Sequence, residues 1–389
     1  MIPRAPWWMY VVASVYALAL CFNVWQEALG PSGAGMRPAE PGLTVARVAG
    51  GSPLDKAGVR IGDVIEAVDG RPTAGMSDWF VVRANFERNR RTPIQVRRGG
   101  QHVSLWFTIT KPNWRTWNPA IVAAEVARVI VLLLALVVAF SRPGQRSARL
   151  AALIFAMIAV AEGYPSAGWA AGLRHLPVVL SIPIALATVS WLLMPTVWLS
   201  LRAVFPEPLF TRRWQWAVGV APLAIFAPLL VISAFAVVYA PAALAMPSPF
   251  ADSIATKRIG EIMGIVPQLF VNLWPAYRPS REAWLLELWF VISISFLLTG
   301  FVMMIVNSRR QSDAAERRQM RVVLVALGMV WVIGIHNVLV RNWANFFDGT
   351  PPALFSRTGD VAEAIVFPFV ALALGYAVLR HRLPQHTSA

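Results

Sequence analysis

A few polar and ionisable side chains that could do chemistry lie inside otherwise apolar stretches. Glu125 and Arg128 are three residues apart, which puts them on one face of a helix and within pairing distance. Glu162, and His336 with Asn337, lie deep in other apolar runs. Charged groups are costly in lipid and usually face the interior of a helical bundle. Two interpretations stay open: an intramembrane polar site made by these five residues, or internally satisfied pairs that only fix helix packing.

The sequence lacks the catalytic motifs that such groups could serve. An intramembrane zinc protease needs HExxH on one helix, so that two His hold the metal and the Glu activates water, and the sequence has no HExxH. His336 has no GxSx companion, and RTGD at 357–360 lacks the first Gly of an aspartyl GxGD motif. Cys21 is the single cysteine, so neither a disulfide nor a Cys-based metal site can form. We expect no enzymatic activity, no metal and no cofactor.

The composition is typical of a membrane protein. The chain is 57% hydrophobic and 14% charged, against about 25% charged in soluble domains. Crossing about 30 Å of hydrocarbon takes about 20 helical residues. The runs that meet this length are 7–28, 118–140, 150–172, 178–201, 216–240, 285–306, 320–340 and 361–379. The excess of Lys and Arg, 35 against 20 acidic residues, is expected beside anionic membrane lipids, and we expect no nucleic-acid binding.

The distribution of arginines predicts the orientation. Short loops rich in Arg alternate with longer loops that are poorer in Arg, and the short basic loops stay in the cytoplasm. This predicts a multi-pass protein of the bacterial inner membrane, with both termini inside and residues 31–116 in the periplasm. One cytoplasmic loop is expected to contact a partner through five arginines. These are Arg309, Arg310, Arg317, Arg318 and Arg321.

Residues 40–111 have the pattern of a small soluble domain. GLTVARV at 42–48 and VIEAV at 64–68 are predicted strands, and 77–89 is a predicted helix with Ser77 as its N-cap. Gly99 and Gly100 close a predicted hairpin. The pattern GSPxxxAGVxxGDVIxxVDG, within residues 51–70, resembles the bacterial PDZ domain. The resemblance implies a small open β-barrel with two helices.

A PDZ domain implies peptide capture, in which an added strand lies between a strand and a helix of the domain. The groove residues implied by the resemblance are Gly42, Leu43, Thr44, Val45, Trp79, Phe80, Arg83 and Phe86. The loop for a peptide carboxylate would precede Gly42, where Pro38 and Pro41 lack amide donors. Packing of at least two of the three aromatic residues in the core, and a domain that serves only as a spacer or protein contact, are the alternatives.

Three further segments resemble parts of ComP-like sensor histidine kinases. They are FPEPLFTRR at 205–213, AERRQMRVVLVALG at 315–328 and YAVLRHRL at 376–383. In that family an anchor helix, an extracytoplasmic PDZ-like domain and further helices precede a cytoplasmic kinase. After Arg380 only nine residues follow in this sequence, so the expectation is a sensing half without kinase domains.

The predicted fold is therefore a membrane α-helical bundle of about eight transmembrane helices with an inserted extracytoplasmic PDZ domain. Its predicted parts are an anchor (1–29), a linker (30–39), the PDZ domain (40–111), a seven-helix bundle (112–380) and a cytoplasmic tail (381–389). The predicted function is a non-catalytic sensor subunit. Its expected partners are a peptide or periplasmic protein, membrane lipids and a cytoplasmic histidine kinase or response regulator. The alternative function is a membrane scaffold that holds or regulates an envelope protease or another assembly.

Overall fold

The computed structural model describes two regions, an antiparallel sheet domain and a helical bundle. The described residues are 5–27, 34–38, 43–48, 50–73, 79, 82–110, 119–160, 168–205, 209–239 and 284–310, with a few helical positions at 321, 324–325, 328–329, 372–373 and 375–376. In chain order, helix α1 (Trp7–Glu27) comes first, the sheet domain follows, and the other bundle helices come after it.

The sheet domain contains six strands in one antiparallel sheet. They are β1 (Ala34–Pro38), β2 (Leu43–Val48), β3 (Val64–Val68), β4 (Arg71–Pro72), β5 (Arg91–Arg98) and β6 (Gln101–Thr108). The order across the sheet is β1-β2-β3-β5-β6, and β4 pairs with β3. Strand β1 lies inside 30–39, which the sequence analysis assigned to a linker. That assignment is wrong for these residues, because β1 pairs with β2 along its whole length.

The turns of this domain follow the glycines. Ser52 caps helix α2 (Pro53–Lys56), and its side chain accepts a hydrogen bond from the Asp55 N–H. Gly99 and Gly100 have φ angles of 56° and 85°, which is the left-handed pair that a two-residue hairpin requires. The predicted β5–β6 hairpin is therefore confirmed.

The predicted helix 77–89 is shorter in the structure. Trp79 and residues 82–84 are helical, and we call these four residues the Trp79 helix. Asn89 has a φ of 57°, and Arg88 forms a parallel bridge with Ile109. The helix does not reach residue 89, because residues 85–89 turn away to meet the bundle and the sheet.

The core of the sheet domain is made by large apolar side chains. Leu43, Val45 and Ile65 from one half of the sheet are fully buried, and Trp79 and Phe86 pack with them. Burying a side chain of this size stabilises a fold by about 1.5–3 kcal/mol. The domain therefore has its own core, separate from that of the bundle.

Apart from the isolated helical positions after residue 320, the described part of the bundle contains α1 and eight further helical segments. They are α3 (Pro119–Ser141), α4 (Arg146–Val160), α5 (Trp169–Arg174), α6 (Val178–Val189), a 3-10 turn (Ser190–Leu193), α7 (Met194–Val204), α8 (Arg213–Tyr239) and α9 (Trp284–Arg310). Among the described residues, two helical stretches are long and apolar enough to cross a bilayer, Trp7–Gln26 and Val178–Val204.

The predicted third span, 150–172, is not one described helix. Helix α4 ends at Val160 and α5 begins at Trp169 as a separate element. The sequence between them contains Gly163 and Pro165, two residues that disfavour a continuous helix. The predicted seventh and eighth spans, 320–340 and 361–379, lie mostly outside the described residues.

Candidate functional site

Among the described residues, β1 forms one edge of the sheet and β6 forms the other. Strand β2 pairs with β1 on one side and with β3 on the other, so Leu43 has a paired strand on each side. Strand addition needs an edge with free amides and carbonyls. The predicted groove strand, Gly42–Val48, is therefore misplaced, because β1 occupies the edge at which a peptide was expected. Gly42 itself lies outside the described residues.

The groove residues predicted on the helix are largely buried. Trp79 and Phe86 are exposed by only 2% and 4%. Their rings meet edge to face with 6.0 Å between the centroids, and Phe86 packs on Phe107 at 5.1 Å. These two aromatic side chains are core residues and do not line an open groove. Phe80 lies outside the described residues.

The half-buried Arg83 lies at a contact between the sheet domain and the bundle that was not predicted from the sequence. Its carbonyl accepts a hydrogen bond from the Gly168 N–H at 2.9 Å, so the Trp79 helix ends against the bundle. The next residue, Ala84, packs into the apolar cluster of the bundle. Arg88 lies over the ring of Trp25, at 4.4 Å from the centroid, near the end of α1.

A buried polar contact fixes this arrangement. Nη1 of Arg174, at the end of α5, donates to Oδ1 of Asn85 at 2.5 Å and to the carbonyl of Val238 at 3.1 Å. Arg174 and Asn85 are only 6% and 5% exposed. Hydrogen bonds to a charged group are among the stronger ones in proteins, at about 1.5–3 kcal/mol each. No local sequence motif links Arg174 to Asn85, which lies 89 positions away.

Gly168 permits the close approach of the two regions. Its φ is +82°, a conformation that favours glycine, and a Cβ built there would lie 2.9 Å from the Phe86 carbonyl oxygen. We call residues 83–88, together with Trp25, Gly168 and Arg174, the joint. The joint connects the sheet domain to α1, α5 and α8.

The bundle interior carries further polar contacts. Asn23 of α1 donates from Nδ2 to the Val160 carbonyl at 3.2 Å and accepts from Thr188 Oγ1 at 3.4 Å. Tyr16 bonds to Ser190 Oγ at 2.8 Å, and Ser190 donates to the Ala187 carbonyl. These bonds connect α1 to α4, to α6 and to the 3-10 turn, so a shift of α1 would be felt by three other elements.

The predicted intramembrane cluster is described in part. Nη1 of Arg128 donates to Oε1 of Glu125 at 2.9 Å, so the two residues on one face of α3 do pair. Glu162, and His336 with Asn337, lie outside the described residues.

The predicted cytoplasmic loop is also described in part. Arg309 near the end of α9 and the helical Arg321 are exposed. The side chain of Arg310 and the whole of Arg317 and Arg318 lie outside the described residues. The proposed role of these arginines in contacting a partner stays a prediction.

One charged pair in the sheet domain is strongly organised. Oδ1 and Oδ2 of Asp63 each accept from the Arg98 guanidinium at 2.8 Å, and the Arg60 N–H also donates to Oδ2 at 2.8 Å. Burial raises the pKa of Asp63, but these hydrogen bonds and the nearby positive charges outweigh burial, so the pKa lies below its ordinary value. The pair joins β5 to the segment that enters β3.

Comparison with known proteins assigns the sheet domain. No curated protein matches this chain. A family model for the PDZ domain matches residues 32–108, which covers β1 to β6 and agrees with the sequence resemblance. The match begins before β1, in agreement with the pairing of β1 in the sheet. Residues 32–108 are a PDZ domain.

Proposed function

We propose that this chain is a multi-pass inner-membrane protein, a non-catalytic sensor whose periplasmic PDZ domain binds a peptide or protein segment and signals through the helical bundle. The observation that supports signalling is the joint. The Trp79 helix ends on the bundle, where the buried Arg174 binds Asn85. A ligand that shifts this helix would act directly on α5 and on the end of α1.

The peptide is proposed to add to the outer edge of β1, beside the Trp79 helix. Met36 of β1 packs against the same core as Trp79 and Val82. Proline in a sheet usually places its missing N–H toward the unpaired edge, and Pro38 ends β1. The ladder is regular from Met36 to Pro38, so the Met36 N–H, two residues earlier, also faces away from β2. We expect this N–H to donate to the peptide.

Peptide capture can be tested with the full chain in lipid nanodiscs and a phage-displayed random peptide library. We expect Met36→Pro to abolish binding of the selected peptides, because it removes the outward donor. Met36→Leu is the matched control, since it keeps the N–H and nearly the same volume. Equal affinity of the Met36→Pro variant, with the PDZ domain still folded, would rule out strand addition at β1.

Sensor and scaffold functions differ in what binding does to the joint. Spin labels at Gln101 of β6 and Gly144 of the α3–α4 turn, both exposed, report the distance between the PDZ domain and the far end of the bundle. With Cys21 replaced by Ser, a sensor should show a peptide-dependent change of the distance distribution. Peptide binding that leaves this distribution unchanged favours the scaffold.

The same two cysteine positions test the topology. An impermeant thiol reagent should label Gln101→Cys in intact spheroplasts and Gly144→Cys only after lysis. The opposite pattern would overturn the proposed orientation, and equal labelling of both positions in a soluble fraction would overturn membrane insertion.

A further inference from the structure

The bundle contains a cavity of about 500 Å³ at the end opposite to the PDZ domain. Its walls come mainly from the N-terminal half of α1, the C-terminal half of α3 and the N-terminal half of α4, and Val204 and Trp216 close one side. Small-molecule sites in proteins commonly have volumes of about 300–1,000 Å³. The cavity is therefore large enough for part of a ligand.

Small side chains create this space. Ala135 and Ala139 of α3 and Ala152 and Ala156 of α4 line the cavity, together with Ala13 of α1. Residues four apart lie on the same face of a helix. Helices α3 and α4 therefore each turn a pair of alanines toward the cavity, where larger side chains would fill it.

The cavity is apolar inside and cationic at one end. Arg146 and Arg149, at the start of α4, are lining residues, and Arg149 lies 5.7 Å from the ring centroid of Trp8. Among the residues that the structure describes, neither arginine has an acidic partner within ion-pair distance. Positive side chains at a helix N-terminus are unfavourable beside the positive end of the helix dipole. An anion bound there is attracted by the side chains and by the dipole.

The dimensions fit one leaflet of a bilayer. The wall of α4 runs from Arg146 to Ala156, ten residues or about 15 Å at the rise of an α-helix. This is half of a hydrocarbon core of about 30 Å. Tyr16 lies at the deep end and bonds to Ser190.

We infer that this cavity binds an acyl chain of an anionic phospholipid, with the phosphate held by Arg146 and Arg149. The inference rests on the proposed membrane location, in which this end of the bundle lies at the cytoplasmic leaflet. Basic pockets between helices on the cytoplasmic side are suited to anionic head groups. The bound lipid fills the space between α1, α3 and α4 and so stabilises the position of α1.

The test uses the full chain in nanodiscs that contain a phosphatidylglycerol probe with a photoactivatable acyl chain. After irradiation, mass spectrometry of peptides should show labelling within residues 9–16, 132–140 and 149–156. A phosphatidylcholine probe of the same chain length is the second arm. Equal labelling of these peptides by both probes would overturn the role of charge, and with it the proposal.

Variants locate the site. Arg146→Gln and Arg149→Gln should each reduce labelling of the cavity peptides by phosphatidylglycerol about fivefold, since a cation near the head group contributes about 1 kcal/mol. The exposed Arg212 does not line the cavity, so Arg212→Gln is the matched control and should leave labelling unchanged. Ala152→Phe should abolish cavity labelling by filling the space.

The outcomes separate this proposal from the proposed membrane location. Labelling of the outward residues Val129, Leu133 and Val137 of α3 without labelling of the cavity peptides would mean that other parts of the chain fill the cavity, and the lipid site would fail alone. If no residue of α1 or α3 were labelled, the proposed membrane location would be wrong as well. If glycerol phosphate competed with the probe as strongly as the lipid does, the site would bind free phosphate. The proposed binding of an acyl chain would then be wrong.

Discussion

Two buried charges, Asp63 in the PDZ domain and Arg202 in the bundle, have opposite environments. Asp63 is 1% exposed and accepts three hydrogen bonds from Arg98 and Arg60. Arg202 of α7 is 0% exposed, and its three guanidinium nitrogens have no hydrogen-bond partner among the described residues. It stacks on the ring of Trp198 at 4.1 Å. A paired buried charge specifies one structure, whereas an unpaired one is a cost that any new partner would relieve.

The cores of the PDZ domain and of the bundle also differ, in the size of their side chains and in the space left between them. The PDZ core is filled by large side chains such as Leu54 and Ile94, both fully buried. The bundle core contains many alanines, the cavity, and a buried Trp169 indole N–H without a partner among the described residues. The PDZ core is therefore filled by large side chains, whereas the bundle keeps open space between its helices.

The largest effect is expected from breaking the organised charge. Asp63→Ala removes the carboxylate that accepts from Arg98 and from the Arg60 N–H, and leaves Arg98 with the Gly58 carbonyl as an acceptor. It should destabilise the PDZ domain by about 2–3 kcal/mol. The matched control, Asp55→Ala, removes an exposed carboxylate that accepts a bond from the Gly51 N–H, and should cost about 1 kcal/mol or less. Hydrogen exchange of β3 and β5 amides in the full chain measures both. Equal costs would show that burial of Asp63 contributes nothing.

The second effect concerns the joint, where the two regions meet. Gly168→Ala puts a Cβ 2.9 Å from the Phe86 carbonyl oxygen and forces alanine to a φ of +82°, which should cost about 1–3 kcal/mol. We expect faster hydrogen exchange at residues 83–88 with unchanged protection in β3. Gly144→Ala is the control, because nothing lies within 4 Å of its Cβ position. Unchanged exchange at 83–88 would mean that the joint tolerates separation there.

The parts that the sequence predicts well are those set by neighbouring residues. The β5–β6 hairpin follows from Gly99 and Gly100, and the end of α2 from Gly58, whose φ is +84°. The Glu125–Arg128 pair follows from helical spacing. Each needs only a few adjacent residues, so the sequence contains all the information.

The parts that sequence reasoning missed depend on distant residues. Strand β1 is only five residues long and contains a Gly, an Arg and a Pro, and it is a strand because β2 pairs with it. Because the sequence does not reveal β1 as a strand, the peptide groove was predicted at β2, one strand away from the edge. The Trp79 helix ends early because Asn85 bonds to Arg174. The polar contacts of Asn23 and the burial of Arg202 have no local pattern, and they appear only when the helices pack.

The third prediction uses pH to act on the organised charge alone. The folded pKa of Asp63 lies below its unfolded value of 3.8, so its contribution to stability is complete above pH 3.8 and is lost as the pH falls through the folded pKa. Pepsin cleavage within residues 43–108 should therefore accelerate below about pH 3.8 in the wild type. Asp63→Asn should show a weaker dependence on pH in this range. An identical pH profile for both proteins would assign the acid sensitivity to other groups.

The smallest effect is expected from removing the unpaired charge. Arg202→Met deletes a guanidinium that has no hydrogen-bond partner in the described part of the chain, and it keeps an unbranched apolar stem of similar length. The lost stacking on Trp198, about 2 kcal/mol when desolvated, is therefore offset by removal of the desolvation cost. The net change in the free energy of unfolding should be within about 1 kcal/mol of zero or stabilising. Arg202→Lys is the sharper control, because it keeps a buried charge and loses the planar stack, and it should be less stable than Arg202→Met. Thermal unfolding of helices in nanodiscs, followed by circular dichroism, ranks the three proteins. A loss of about 3 kcal/mol or more for Arg202→Met would reveal an acidic partner that Arg202 holds in the intact chain, and the contrast with Asp63 would then disappear, because both charges would be paired.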